Sequence, residues 1–249
     1  MDMTNFILLL IVSFFTSIIG TMIGMAMVVL LPLMIFLGIP VHTAIATGRF
    51  SMLGVNIGNI TIFSQNEKVQ SKYFLVFAVA GAIGSLAGAL FLVYVNEEVL
   101  KTIIGIFMIV ISILILFEDY IKPKKIKHKA TIKHHILSAL AGIFVGGYIG
   151  IIGGGGATII ILLLILIYGL SFHDALANQK AVTLPISIIA ALVFIYQGLI
   201  DYTLGVPLLI VNFIGGLIGA GLVSKFKGLW LKRIIVPIVI LMAVRLLFF

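Results

Sequence analysis

The chain has 249 residues, of which 62% are hydrophobic and only 10% are charged. A soluble domain carries about 25% charged residues, so this composition excludes an ordinary soluble protein and predicts an all-α integral membrane protein. The net charge of +8 comes from basic residues that cluster in loops beside apolar stretches, a pattern that does not indicate nucleic acid as a partner. Because there is no cysteine, a thiol nucleophile and a cysteine metal site are excluded, and neither cofactor nor metal is expected.

The first apolar block covers residues 6–37 and is interrupted by Gly20, Gly24 and Pro32. A straight helix over this block would be about 48 Å long, whereas the hydrocarbon core of a bilayer is about 30 Å thick. We therefore expect the block to be strongly tilted, broken or folded back as a hairpin. Residues 1–5 lack the positive segment of a signal peptide, so we expect the block to be retained. Further apolar blocks follow at 42–64, 73–95 and 99–118.

A lysine-rich segment then divides the chain near its middle, and the second half repeats the plan with apolar blocks at 137–168, 173–197, 202–223 and 229–249. We predict three parts: a membrane repeat at 6–118, a basic linker at 119–136 and a second membrane repeat at 137–249. Basic loops face the cytoplasm and attract anionic lipid headgroups. The linker is therefore expected in the cytoplasm, with membrane lipid as its partner.

The two halves align when the sequence is shifted by 131 residues. This offset pairs residues 38–42 (Gly-Ile-Pro-Val-His) with 169–173 (Gly-Leu-Ser-Phe-His), and without a gap it also pairs Gly24 with Gly155. Composition alone produces scattered apolar matches, but it does not produce glycine, histidine and lysine matches in one frame. We therefore predict an internal duplication, which is a common plan of secondary transporters.

Two arrangements of these repeats are open. If each half crosses the membrane four times, the repeats are parallel and the chain has eight spans. If the long first segments are re-entrant or discontinuous, each half adds three transmembrane helices and the repeats are inverted. We favour the inverted arrangement, because it places the basic cluster at 225–233 in the cytoplasm and brings both glycine-broken segments near mid-membrane.

A run of four glycines interrupts the first block of the second half: Gly153, Gly154, Gly155 and Gly156. Each glycine costs about 1 kcal/mol in a helix relative to alanine, so the run predicts a helix break followed by a new helix start. A helix start carries unsatisfied N–H groups and a partial positive charge. A break at membrane depth is tolerated where it is buried in protein or lines a cavity. With Gly24 as its counterpart in the first half, the run predicts an anion site.

Arg49 and Lys180 occupy matched positions, a turn or two into the second helix of each half. A charge at that depth is costly and usually functional, so we predict that both cations and the helix starts hold one oxyanion. The alternative is that both side chains reach out to the membrane surface. Neutral hydrogen-bonding candidates for the substrate, which could equally link helices, are Thr47, Ser51, Asn178, Gln179 and Thr183. Asn56 and Asn59 are weaker candidates.

Three residues at helix starts are candidates for proton coupling: His42, His173 and Asp174. The two histidines are a matched pair, and histidine titrates near neutral pH. The alternative is that these residues are only interfacial.

The glycine-rich broken first helix, the Gly-x-x-x-His turns, the Ala-x-Ala-Thr stretch at residues 44–47 and the duplication together resemble one family. It is the TauE/SafE family of sulfite and organosulfonate exporters, also called the toluene-sulfonate uptake permease family. The resemblance covers essentially the whole chain. It implies a secondary transporter of the cell membrane that moves a small sulfur-containing or organic anion, such as sulfite or a sulfonate, by alternating access. The coupling ion would be H⁺ or Na⁺, and a homo-oligomer is a further candidate assembly.

The sequence has three alternative interpretations of function. A passive anion channel of the same architecture is the main alternative, and uphill flux would exclude it. An enzyme is not expected, because the sequence has no intramembrane metal motif and no paired carboxylates. A scaffold protein would not require charges at matched positions inside the membrane.

Overall fold

The described part of the chain is built from ten α-helices. The computed structural model describes residues 1–66, 71–117, 131–223 and 229–248, with their side chains apart from those of 64–66, 71–72, 115–117, 173 and 229–233. These ranges contain no strand. The helices are α1 (Met3–Ile23), α2 (Ala26–Phe36), α3 (Val41–Asn66), α4 (Ser71–Phe91), α5 (Glu97–Phe117), α6 (Ile132–Ile151), α7 (Gly156–Tyr168), α8 (Phe172–Tyr196), α9 (Tyr202–Leu222) and α10 (Leu229–Phe248).

Five described segments are long and apolar enough to cross a membrane: Met3–Ile23, Tyr73–Tyr94, Ile132–Ile151, Asp174–Tyr196 and Tyr202–Leu222. The second of them joins α4 to a short 3-10 helix, Leu92–Tyr94. Helices α2 and α7 have 11 and 13 residues, and at about 16 and 20 Å each is shorter than the hydrocarbon core. Large apolar side chains such as Phe144 and Leu241 lie exposed, as a lipid-facing surface requires. The protein is an all-α, multi-pass membrane protein.

The basic linker falls mostly outside the described residues, which resume at Thr131. Helix α6 begins at Ile132, so the last residues of the predicted linker range, 119–136, belong to its first turns. The basic cluster predicted at 225–233 likewise lies outside the residues whose side chains are described.

Glycines bring α4 directly against α6. A Cβ atom added to Gly84 would overlap the carbonyl of Ile143, and one added to Gly88 would overlap the carbonyl of Gly147. At these points no side chain separates the two helices, which is the close approach that small residues allow in membranes. Because both contacts advance by four residues in the same sense, α4 and α6 run in the same direction.

Helices α3 and α9 meet in the same way. Gly54 lies against the backbone at Leu209, and Gly58 lies against the backbone at Phe213, so these two helices also run in one direction. Helix α9 contacts α1 as well, where Gly219 lies against the backbone at Ile18. The hydrophobic core lies between these pairs, and α2 and α7 are among its most buried elements.

Several features of the two halves correspond at the predicted offset of 131 residues. Helices α4 and α9 begin and end at residues separated by that offset. Gly24 and Gly155 both have a positive φ, of 80° and 76°, and so do Gly38 and Gly169, at 86° and 65°. The packing of α4 on α6 and on α8 is matched by that of α9 on α1 and on α3. The duplication itself stays a prediction, and these features agree with it.

Candidate functional site

Both long first segments are broken at glycines. Helix α1 ends at Ile23, and the N–H of its capping residue Gly24 donates to the Gly20 carbonyl at 2.7 Å before α2 starts at Ala26. Helix α6 ends at Ile151, and α7 starts at Gly156 after Gly153 and Gly155 have turned through positive φ values of 81° and 76°. Glycine adopts this left-handed conformation at little cost, whereas other L-residues do so rarely. The glycines therefore set where each segment breaks.

The two breaks lie against each other. The Thr158 hydroxyl in the first turn of α7 donates to the Ile23 carbonyl at the end of α1, at 3.4 Å. A Cβ atom on Gly24 would lie 2.8 Å from the Thr158 hydroxyl oxygen and 3.2 Å from the Thr158 amide nitrogen. Gly24 is thus required both for its backbone conformation and for the contact with α7.

Two buried cations reach these breaks from the opposite halves. Lys180 on α8 is 3% exposed, and its Nζ donates to the Thr21 carbonyl in the last turn of α1 at 3.1 Å. Arg49 on α3 is also 3% exposed, and its side chain packs so tightly on Gly153 that a Cβ atom there would overlap the arginine Cδ. Both side chains therefore point into the protein and do not reach the membrane surface.

A cavity of about 60 Å³ lies between the breaks and the two cations. A water molecule needs about 10–15 Å³ of such space, so the cavity has room for several waters or one small oxyanion. The residues predicted as substrate-binding that line it are Gly24, Arg49, Gly153, Gly155, Gln179, Lys180 and Thr183. The remaining lining residues are Gly20, Ala26, Met27, Met52, Val55, Asn56, Asn59, Ile149 and Ala157.

Hydrogen bonds between amide and hydroxyl groups connect α3 to its neighbouring helices beside the cavity. The Ser187 hydroxyl on α8 accepts from Asn56 Nδ2 at 2.9 Å and from Arg49 Nη2 at 3.3 Å. One turn further along α3, Asn59 Oδ1 lies 2.9 Å from the Thr21 hydroxyl, which is also 2.9 Å from the Ser17 carbonyl. These bonds tie α3 to α8 and to α1 around the cavity, and among the described residues the guanidinium has no carboxylate partner.

Two buried polar atoms in the cavity wall have no hydrogen-bond partner within the described residues. They are Arg49 Nε, a donor, and Gln179 Oε1, an acceptor. Buried polar groups are satisfied in the great majority of cases, by protein or by water. Two residues that line the cavity, Arg49 and Gln179, thus carry an unpaired donor and an unpaired acceptor within the described part of the chain.

Five predicted site residues do not line the cavity. Thr47 Oγ1 accepts from the amide of Asp201 at 2.9 Å, and Asn178 Nδ2 donates to the Asp174 carbonyl at 2.8 Å. Ser51 donates to the Gly48 carbonyl at 2.8 Å and accepts from Asn212 Nδ2 at 3.1 Å. The Gly154 carbonyl accepts from the Tyr148 hydroxyl, and Gly156 is the first residue of α7. In this structure Thr47 and Ser51 link α3 to α9 and its cap, the Asn178 bond lies within α8, and the two glycines belong to the break and the start of α7.

The proton-coupling candidates lie at helix starts, away from the cavity. His42 Nε2 is 3.0 Å from the Val95 carbonyl, and its Nδ1 is 3.4 Å from Glu97 Oε1. Asp174 accepts from the Ser171 hydroxyl at 2.7 Å in the N-terminal cap of α8. The side chain of His173 lies outside the described ones. In the described part of the chain, no group of three or more His, Asp or Glu residues is placed to hold a metal ion.

Sequence reasoning missed three residues that organise the site. Ser187 could have been found, because it stands 131 residues after Asn56, to which it is hydrogen-bonded. Tyr148 gave no signal, since its counterpart at that offset is a serine. Thr21 takes part through its backbone carbonyl as well as its hydroxyl, and a carbonyl acceptor leaves no trace in the residue type.

Comparison with known proteins finds one family of exporters and several probable membrane transporters. The profile of the family described as sulfite exporter TauE/SafE matches residues 9–246. The chain is 26% identical to the probable membrane transporter protein YfcA of Escherichia coli over 221 residues, which are 88% of this chain and 80% of that one. It is 25% identical to the probable membrane transporter protein YdhB of Bacillus subtilis over 198 residues, 79% of each chain. It is 23% identical to the probable membrane transporter protein ORF9 of a Sinorhizobium species over 242 residues, 96% and 91% of the two chains.

Proposed function

The chain belongs to the sulfite exporter TauE/SafE family and is a membrane transporter of that type, and from this premise we propose what it carries and how. It is a secondary transporter of the cell membrane that moves a small sulfur-containing or organic anion, such as sulfite or a sulfonate, by alternating access. The observation that carries this proposal is the central cavity, in which two helix breaks and two buried cations from opposite halves converge.

The charge of the cavity supports an anionic substrate. Arg49 and Lys180 are buried with neutral partners, and none of the described residues that line the cavity is acidic. Burying charges without a counterion is costly, so a bound anion stabilises this arrangement more than any neutral ligand would. The first turn of α7 adds amide dipoles of the same sign.

The directions of the helices support inverted repeats. The short connection 197–201 joins α8 to α9, so the chain reverses its direction between these two helices. Helix α9 runs in the same direction as α3. Helices α3 and α8, which are counterparts at the predicted offset, then run in opposite directions. Inverted repeats give alternating access a physical basis, because exchanging the conformations of two equivalent halves opens the same central site to the other side.

Transport by reconstituted protein tests this function. In proteoliposomes that hold a sulfite gradient, we expect saturable uptake that an imposed ion gradient can drive uphill, which a passive channel cannot produce. Arg49→Ala and Lys180→Ala each remove a charged donor worth about 1.5–3 kcal/mol, so the initial rate at low substrate concentration should fall roughly 10- to 150-fold.

Arg245→Ala is the matched control, because Arg245 is an exposed cation that lies 4.8 Å from the ring of Phe36 and outside the cavity. It should transport at the wild-type rate. Wild-type rates in both Arg49→Ala and Lys180→Ala would refute the assignment of the cavity as the anion site.

A further inference from the structure

The orientation of the Gln179 side-chain amide determines whether this residue presents a hydrogen-bond donor or an acceptor to a ligand. The side-chain nitrogen of Gln179, Nε2, donates to the Thr183 hydroxyl. That hydroxyl donates its own hydrogen to the backbone carbonyl of Gln179 at 2.7 Å. A threonine hydroxyl has a single hydrogen, so it cannot also donate to the glutamine side chain. The amide is therefore held with its nitrogen on Thr183, and its oxygen, Oε1, has no partner among the described residues. Gln179 itself lines the cavity.

This oxygen is an acceptor without a partner among the described residues, on a residue that lines the cavity together with the donors Arg49 and Lys180. Gln179 is 1% exposed, and a buried acceptor that is left unsatisfied is destabilising. A ligand that carries only acceptor oxygens would satisfy Arg49 and Lys180 but would leave Oε1 unsatisfied. The complementary ligand has charged oxygens for the two cations and one hydrogen-bond donor for Gln179.

The neighbouring charges select the kind of donor. An ammonium group on the ligand would stand beside Arg49 and Lys180 and would be repelled by both. A neutral hydroxyl group has no such penalty. The volume of about 60 Å³ also suits a compact anion rather than a sulfonate with a ring or a chain.

We propose that the central cavity binds a small oxyanion in its singly protonated form, such as hydrogensulfite or bicarbonate, with the hydroxyl of the anion donating to Gln179 Oε1. This inference rests on the proposed function and narrows its substrate class. It has a consequence for coupling: the proton travels on the anion itself. No protein group is then needed to carry it, in agreement with the position of His42 and Asp174 outside the cavity.

Two pairs of anions test the proposal, because in each pair a hydroxyl is replaced by a methyl group while the charged head is unchanged. The pairs are bicarbonate with acetate and, at mildly acidic pH, hydrogensulfite with methanesulfinate. Binding is measured by isothermal titration calorimetry on the purified full-length protein in detergent. We expect the hydroxyl-bearing member of each pair to bind at least tenfold more tightly, as one hydrogen bond to a buried acceptor predicts.

Substitutions at Gln179 and Thr183 test whether Gln179 causes this preference. Gln179→Leu should remove the preference for the hydroxyl-bearing anion in both pairs. Thr183→Val should weaken this preference, because the Gln179 side-chain amide can then flip. Gln197→Leu is the matched control, because Gln197 caps the far end of α8 and does not line the cavity, and it should keep the preference.

The outcomes separate this inference from the proposed function. Equal affinities within each pair in the wild-type protein would refute the proposal that the bound anion carries a hydroxyl group. The assignment of the cavity as an anion site would still stand. A preference that survives in both Gln179→Leu and Thr183→Val would also refute the proposal of a hydroxyl-bearing anion. If no anion of either pair binds, the proposed function fails together with the inference.

Discussion

Replacing Gly153 by alanine tests whether the break after α6 serves to position Arg49. Gly153 has a φ of 81°, and an added Cβ would overlap Arg49 Cδ and lie 3.0 Å from both Nε and Nη1. The left-handed conformation costs an alanine about 1–2 kcal/mol, and the arginine must in addition leave its place in the cavity wall. We therefore expect Gly153→Ala to lower both stability and transport.

Gly38→Ala separates the two effects. Gly38 has a φ of 86°, but an added Cβ there would meet no atom within 4 Å, so this variant carries the backbone strain alone. Thermal unfolding in detergent should show a loss of stability in both variants, and the loss should be at least as large in Gly153→Ala. The initial rate of anion uptake in proteoliposomes should fall at least tenfold only in Gly153→Ala. The reasoning is refuted if the two variants transport equally well.

Three further predictions concern packing, the second break and topology. Gly84→Ala should prevent folding, because its Cβ would overlap an α6 carbonyl, whereas Gly221→Ala, which meets no atom within 4 Å, should fold normally; the yield of monodisperse protein after detergent extraction measures both. Tyr148→Phe removes the hydrogen bond to the Gly154 carbonyl and should cost about 1 kcal/mol, seen as a lower Tm, while an unchanged Tm would show that the bond is not needed. A reporter fused to Phe249 should be active outside the cell for inverted repeats, and activity in the cytoplasm would support parallel ones.

Helix breaks could be predicted from the sequence because they depend on local conformation. A run of four glycines weakens a helix wherever it occurs, and the break at residues 152–155 follows from it. The same reasoning could not say which glycines adopt a positive φ. Gly153 and Gly155 do, and Gly154 does not, and four identical residues in a row carry no local signal that distinguishes one from the next.

The choice of cavity-lining side chains required the helical period rather than closeness along the chain. Arg49, Met52, Asn56 and Asn59 lie at spacings of three, seven and ten residues and share one face of α3, which lines the cavity. Thr47 and Ser51 are two residues from Arg49, about 200° away around the helix, and they contact α9 and the turn before it. Applied to Arg49, this period would have ranked Asn56 above Ser51.

The partners of the cations could not be predicted, because they lie far away in the sequence. Lys180 contacts a carbonyl 159 residues earlier, and Arg49 contacts a hydroxyl 138 residues later. Such contacts follow from how the two halves interlock. The offset that relates the halves pairs Arg49 with Lys180, but it does not indicate that each cation reaches the break of the opposite half.

The two halves contribute unequal groups to the cavity, and this inequality bears on the mechanism. The counterpart of Gln179 at the offset of 131 residues is Gly48, which has no side chain to accept a hydrogen bond. A site with two equivalent walls would hold an anion equally well in two orientations. In the proposed binding mode the hydroxyl of a protonated oxyanion points toward Gln179 on the α8 side, and Gly48 offers no equivalent side-chain acceptor on the α3 side. A symmetric exchange of helix conformations can then carry an anion that keeps a fixed orientation, so the proton and the charge would cross the membrane as one unit.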